Sequence, residues 1–194
     1  MTIDDQDQAV QETSFIWSKP YTTQQIAFVE EDGQWFCKAV HDGYTRLKAP
    51  VRHQRSVLFF NQGNFLIRDR FMGSGVHRFE LNFHLHPNAV VDRKEEWWLI
   101  ENGGVCVFMK FLEGDFELIK GQKAPLMGWY SSRYGKKEPA GTLTFCRTGS
   151  AEDVVFTTAI FTQSPFDYLD KESRFQQPQV FKKAGEFARE IEDS

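Results

Sequence analysis

His84 and His86 stand two apart in the stretch Phe79–His86. On a strand, residues at i and i+2 project to the same side, where two imidazoles can share a metal ion with a third ligand from a neighbouring strand. His53, His77 and Asp69 lie on neighbouring segments and are candidates for that third group, although His77 has the opposite parity and falls on the other face. The competing reading is that these side chains hydrogen-bond locally or line a surface, and spacing alone leaves both open.

A second set of groups is cationic. Arg52, Arg55, Arg68, Arg70 and Arg78, with Arg133, Lys136 and Lys137 further along, can hold carboxylates or sulfates through forked or point-charge contacts. Alternating charges on strands also suit a solvated face. Trp129-Tyr130-Ser131-Ser132-Arg133-Tyr134-Gly135 mixes aromatic rings with a cation, as sugar-binding loops do, and equally fits a packed aromatic loop. Nucleophilic and nucleotide chemistry lack their frames: there is no Gly-x-Ser-x-Gly elbow and no phosphate loop, and Gly73-Ser74-Gly75 has neither context. No spacing singles out a carboxylate pair for glycoside hydrolysis.

The elements that must position these groups read as strands. Nineteen Phe, 5 Trp and 5 Tyr are set among Val, Ile and Thr, the residues that suit a pleated, half-buried surface. Strand-length runs recur at Ile26–Glu30, Trp35–Val40, Ser56–Phe60, Phe65–Phe71, Val76–His86, Glu96–Glu101, Val105–Phe111, Phe116–Lys120, Thr142–Arg147 and Val154–Phe161. Turn residues separate them, with Glu31-Asp32-Gly33, Asn61-Gln62-Gly63-Asn64, Asn102-Gly103 and Glu113-Gly114-Asp115 as breaks; Asn102-Gly103 reads as a type I′ hairpin. The pattern predicts an all-β antiparallel β-sandwich of about ten or more strands.

Alternation assigns faces. Phe79, Leu81, Phe83 and Leu85 face a core, and Glu80, Asn82, His84 and His86 face away from it. Trp97–Ile100 and Val105–Phe108 are apolar on both faces, which requires cover on both sides. Residues 1–166 form the sandwich in this reading, and 167–194 a polar tail in which Val180, Ala184, Phe187, Ala188 and Ile191 mark one short amphipathic helix.

Bulk properties narrow the function classes. The 194 residues carry a net charge of −4, with 41% hydrophobic and 26% charged residues, which suits a globular core and rules out disorder as the main state. A nucleic-acid partner is not expected, because the basic excess that neutralises phosphates is missing. No apolar run reaches the roughly 20 residues of a membrane helix, and the start Met-Thr-Ile-Asp-Asp-Gln-Asp-Gln has no basic or apolar signal-peptide region. Cys37, Cys106 and Cys146 are odd in number and far apart, so neither a disulfide framework nor a zinc knuckle is indicated.

The order of segments adds a family. Ala39-Val40-His41-Asp42-Gly43-Tyr44, Val51-Arg52-His53-Gln54-Arg55-Ser56-Val57, Phe65-Leu66-Ile67-Arg68-Asp69-Arg70, Gly75-Val76-His77 and Phe83-His84-Leu85-His86-Pro87 follow one another. Ser131-Ser132-Arg133-Tyr134-Gly135 and Pro139-Ala140 come later. This succession, over roughly residues 2–163, resembles the C-terminal part of the heparinase II/III-like polysaccharide lyases. The resemblance implies a β-sandwich that follows an α/α-toroid in complete members. Those enzymes cleave uronic-acid polysaccharides by β-elimination, with base, acid and carboxylate-neutralising group drawn from the cleft between domains.

Thr2-Ile3-Asp4-Asp5-Gln6-Asp7-Gln8, followed by Phe15-Ile16-Trp17, is similar to the family segment just downstream of a His-Asn-Thr motif. The family's metal-binding His belongs to that motif, and its other ligands and catalytic groups lie earlier. The resemblance therefore assigns no catalytic residue, metal ligand or cofactor to this chain. Asp69 and His84 match frequent family positions, and Asp69 is expected to pair with Arg55 or Arg68. The substrate-binding candidates are Asp69, His84, His86, Arg55, Arg133 and Tyr134. The expected partner is an acidic polysaccharide or an upstream toroid, with self-association through an uncovered sheet face as a further expectation. Two function classes stay open: a piece of a longer lyase, inactive alone and from a family usually exported, or a free-standing carbohydrate-binding or protein-interaction module.

Overall fold

A computed structural model describes residues 1–165 apart from 14, 61 and 62. The expected tail helix and the Asn61-Gln62 part of one turn lie outside the described residues. In chain order the strands are β1 (Thr2–Ile3), β2 (Val10–Gln11), β3 (Trp17–Ser18), β4 (Thr23–Glu31), β5 (Gln34–Tyr44), β6 (Val51–Phe60), β7 (Asn64–Gly73), β8 (Val76–His84) and β9 (Val90–Lys94). They continue as β10 (Trp97–Asn102), β11 (Val105–Phe111), β12 (Glu117–Lys120), β13 (Gln122–Lys123), β14 (Leu126–Met127), β15 (Trp129–Arg133), β16 (Lys136–Pro139), β17 (Gly141–Ser150) and β18 (Val155–Phe161).

Each of the ten expected runs falls on a strand, with ends that overrun it by one or two residues at Glu96, Phe116, Val154 and after His84. An eight-stranded sheet has the order β4-β5-β6-β7-β18-β11-β10-β9, and a four-stranded sheet the order β1-β8-β17-β12, with β2-β3, β13-β14 and β15-β16 as separate two-stranded ribbons. Among the described residues every pairing is antiparallel.

The two larger sheets stack through one core. Ile3, Phe79, Leu81 and Leu143 from the four-stranded sheet pack with Val51, Phe71, Met109, Phe111 and Phe156 from the eight-stranded one. The rings interlock in tilted and edge-on contacts, with Phe71 and Phe79 centroids 4.3 Å apart and Phe111 and Phe145 4.4 Å apart. Leu81 is buried, Phe83 half-buried against this core and His84 exposed, so the alternation of β8 holds.

The strands that are apolar on both faces serve two cores. Trp98, Ile100 and Val107 pack against the inter-sheet core, while Trp97, Leu99, Cys106 and Phe108 join Phe36, Leu58, Phe60, Leu66, Ala159 and Phe161 on the other side of the large sheet. Trp97, Phe36 and Leu58 are buried, so these positions are covered on the second side as well, as their apolar character on both faces calls for.

One turn also differs. Asn102 pairs with Val105, and the positive φ values fall on Gly103 (+59°) and Gly104 (+82°) rather than on Asn102-Gly103. Two consecutive glycines take the left-handed pair at less cost than Asn followed by Gly. At the β4–β5 turn, Asp32 and Gly33 supply that pair at +51° and +72°.

Candidate functional site

The register of β5, β6 and β7 lines up two rows of side chains on one face of the large sheet. Ala39 pairs with Arg55 and Arg55 with Asp69, while His41 pairs with His53 and His53 with Phe71. The two rows are adjacent because same-face positions recur every second residue. They bring together His41, His53, Asp69 and Arg55, which are spread over 29 positions of sequence.

Asp69 is 1% exposed and accepts from three donors. Arg55 binds it bidentately, Nε to Oδ1 at 2.7 Å and Nη2 to Oδ2 at 3.0 Å, and His53 Nε2 reaches Oδ1 at 2.6 Å. Arg68 is next in sequence to Asp69, so its side chain lies on the opposite face of the sheet; of the two arginines anticipated as partners, Arg55 is the one in place. Burial pushes the Asp69 carboxyl up, but the His53 and Arg55 hydrogen bonds outweigh it and hold the group below its ordinary value.

The hydrogen bonds fix a direction along the row. The Gly43 N–H donates to His41 Nδ1 at 3.2 Å, so that nitrogen carries no proton. His41 Nε2–H must then donate to His53 Nδ1 at 2.9 Å, and His53 Nε2–H to Asp69. Burial, reinforced by the neighbouring His53, lowers His41 to about 4. All four ring nitrogens are engaged, and the His53 ring stacks on Phe71 at 5.2 Å. The relay orients rings and charge rather than offering a free base.

Its outer end meets a pocket. His41 packs 5.3 Å from the Tyr21 ring. Tyr21 OH accepts from Gln8 Nε2 at 2.6 Å, and Tyr21, Gln8, Asp7, Trp17 and Ser18 line a pocket of about 670 Å³. Arg46 holds the Asp7-Gln8 segment by donating to the carbonyls of Asp7, Gln8 and Gly43.

The other sequence candidates lie elsewhere. His77 is buried on the small sheet, its Nδ1 2.7 Å from Asp4 and its Nε2 3.1 Å from the Ser74 carbonyl, so it fastens the N-terminal turn. His84 sits at the exposed end of β8 with Nδ1 3.2 Å from Thr142 Oγ1, and His86 lies beyond the strand, accepting from the Asn88 N–H at 3.2 Å. The five-residue constellation of His53, Asp69, His77, His84 and His86 is therefore not assembled: β6 and β7 belong to one sheet and β8 to the other. Among the described residues, no group of three His, Cys, Asp or Glu could hold a metal ion.

Arg133 and Tyr134 occupy the tip of the β15-β16 hairpin, where Gly135 turns the chain at φ +73°. Tyr134 is 97% exposed. Arg133, Lys136 and Lys137 line an open groove of about 710 Å³ with Ser132 and Glu138. Lys137 Nζ lies 4.5 Å over the Trp129 ring, and Tyr130 from the same hairpin lies 6.0 Å from His86. The hairpin thus carries cations and aromatic faces on one exposed ribbon, with the His86 ring beside its Tyr130.

Sequence reasoning missed His41, Gln8 and Tyr21. His41 and Gln8 lay within segments that carry the family resemblance but had no role assigned there, and Tyr21 had no signal, since its contact with Gln8 spans 13 positions between short ribbons.

Residues 1–165 match the family described as Heparinase II/III-like, C-terminal. The chain belongs to this family. Solved structures of heparinases share its fold. The heparan sulfate lyase HepC from Pedobacter heparinus has 18% identity and a TM-score of 0.56 over 74% of this chain and 22% of its own. A heparinase III, the BT4657 gene product, has 20% identity and a TM-score of 0.57 over 73% of this chain and 22% of its own. The chain thus spans about a fifth of the length of these heparinases. No curated protein sequence matches it.

Proposed function

We propose that this chain is the C-terminal β-sandwich module of a lyase that cleaves uronic-acid polysaccharides by β-elimination. Its own part is to hold the acidic polymer, while the proton-transfer groups come from an α/α-toroid. The carrying observation is the β15-β16 hairpin, where Arg133, Lys136 and Lys137 stand beside exposed Tyr134. Forked and point-charge cations meet carboxylates and sulfates, and the aromatic faces stack on sugar rings. In a chain of net charge −4, this local cluster makes the favourable contact with a polyanion.

The histidine relay supports the same division of labour. β-Elimination needs a base at the proton next to the uronate carboxylate and a group that neutralises that carboxylate. His41 and His53 have both ring nitrogens occupied, and Asp69 is held by Arg55, so these groups serve as scaffold within the large sheet and not as the base. HepC is by name a heparan sulfate lyase, which makes heparan sulfate the first polymer to try.

The test is an ultraviolet assay for the unsaturated uronate product on heparan sulfate, heparosan, chondroitin and alginate, paired with binding of the same polymers. Salt-sensitive binding without turnover is the expected result. Turnover by the chain alone, or equal binding of a neutral dextran, would contradict the reading.

A further inference from the structure

The face of the large sheet turned away from the small sheet is sealed along two adjacent rows. Phe36, Leu58, Leu66 and Ala159 stand in register across β5, β6, β7 and β18, and Phe36 and Ala159 are 0% exposed. The next row on the same face is polar, yet Lys38, Ser56 and Thr157 are buried there in register with Arg68. Among the described residues, every side chain of the apolar cluster on this face comes from strands of the large sheet itself. Neighbours in one layer cover each other's flanks, but the outward ends stay open unless a second layer lies on them. The opposite face of the same strands shows the contrast: Trp35, Val57, Phe59, Phe65 and Ile67 lie outside the inter-sheet core and are only half-buried.

The chain carries a segment that fits as the cover. β18 ends at Phe161, a member of the sealed cluster, and the described residues end at Pro165, where the family match also stops. The stretch from Pro165 to Val180 reaches about 50 Å when extended, longer than any strand of the sheet. Val180, Ala184, Phe187, Ala188 and Ile191 then recur at helical spacing. A helix of that span is about 18 Å long, enough to lie over four strands about 4.8 Å apart. Charge favours this occupant. Glu190 and Glu192 fall about 100° to either side of Ile191 around such a helix and border its apolar stripe, while the sheet face carries Lys38, Arg68 and Arg70. A second copy docked face to face would instead set these cations against their equivalents.

We infer that residues 180–191 form an amphipathic helix that docks on this outer face, its apolar stripe against Phe36, Leu58, Leu66 and Phe161. The helix makes a third layer on the sandwich and keeps the apolar face from pairing with other molecules. The docking uses no residue of the cationic hairpin, so it stands or falls apart from the polymer reading.

The experiment is nuclear magnetic resonance on the full chain, run once on isotope-labelled protein and once on a mixture of labelled and unlabelled copies. Nuclear Overhauser contacts are expected from the Phe187 ring and Ile191 methyls to the methyls of Leu58 and Leu66, within one chain and not between copies. Amide exchange gives a second readout, because a helix this short is marginal alone in water and its protection reports docking. Phe187→Asp should speed exchange over 180–191 by at least about tenfold, whereas Lys182→Asp, on the far side of the helix, should leave it as in wild type. Absence of those contacts, contacts only between copies, or exchange over 180–191 that is already fast in wild type would each overturn the assignment. The second of these results would make another copy of the chain the occupant, and the first and third would leave the face to a different protein.

Discussion

His53 Nε2 and Asp69 Oδ1 meet at 2.6 Å across the β6–β7 pair, although 16 positions separate them in the chain. The contact exists because β6 and β7 pair in a register that sets the His53–Phe71 row beside the Arg55–Asp69 row. Replacing Asp69 by Asn removes the charge that His53 and Arg55 face. Breaking a buried ion pair from one side costs about 3–5 kcal/mol, and the lower end applies because the Arg55 side chain is 40% exposed and can turn to water. Urea denaturation of Asp69→Asn should therefore show a loss of about 3 kcal/mol at an unchanged slope. A loss below about 1 kcal/mol would mean that the cluster does not hold the sheet together.

The same cluster sets a pH dependence. His41 is lowered from 6.5 to about 4, so between those values the unfolded chain binds a proton that the folded chain does not. Stability therefore falls as pH drops through that window. Asp69 behaves in the carboxylate sense: its folded value lies below 3.8, so its contribution is complete above that value and is lost as pH falls further. Denaturation midpoints measured from pH 7 downward should decline first across the His41 window and then again in acid. His41→Asn should flatten the first decline and leave the second. An unchanged first decline would assign it to other groups.

Gly43 lets two parts of the site approach. A Cβ there would stand 2.5 Å from the Gln8 carbonyl oxygen and 3.1 Å from His41 Nδ1. Gly43→Ala must push the Gln8 segment away from the relay, and such overpacking costs about 1–3 kcal/mol. Thermal unfolding should register the loss. Wild-type stability in this variant would show that the backbone gives way freely.

The aromatic core carries the fold itself. Phe79 is fully buried between Phe71 and His77, on the inner face of the small sheet. Phe79→Ala should cost about 3–5 kcal/mol by guanidinium denaturation, whereas Val105→Ala on an exposed strand start should cost under about 0.5 kcal/mol. Comparable losses in the two variants would be inconsistent with a core centred on that ring.

Long strands were legible because alternation accumulates over seven to eleven residues, as in β8 and β5, and the both-faced apolar character of β10 and β11 correctly called for cover on each side. Two-residue strands such as β1, β3 and β14 are too short to alternate and could not be read. The site was legible only in part. The pairing of Asp69 was legible as a choice between Arg55 and Arg68, and choosing between them depends on strand register and face, which local sequence alone does not determine. His84 and His86 carry the most visible histidine spacing, yet they stand at and just past the end of β8 in the four-stranded sheet, both exposed. His41, the member of the relay nearest the pocket, stands just past the expected Trp35–Val40 run and before Asp42-Gly43, where the alternation has ended.

Polymer binding by the hairpin variant tests the central claim most directly. Arg133, Lys136 and Lys137 are exposed and distant in sequence from the relay, so Arg133→Ala/Lys136→Ala/Lys137→Ala should keep the wild-type melting temperature. Titration calorimetry with heparan sulfate at low salt should show at least about a tenfold weaker affinity for the triple variant, a loss of about 1.4 kcal/mol, and a shallower salt dependence. An affinity equal to wild type in a folded triple variant would contradict the assignment of this hairpin as the surface that holds the acidic polymer.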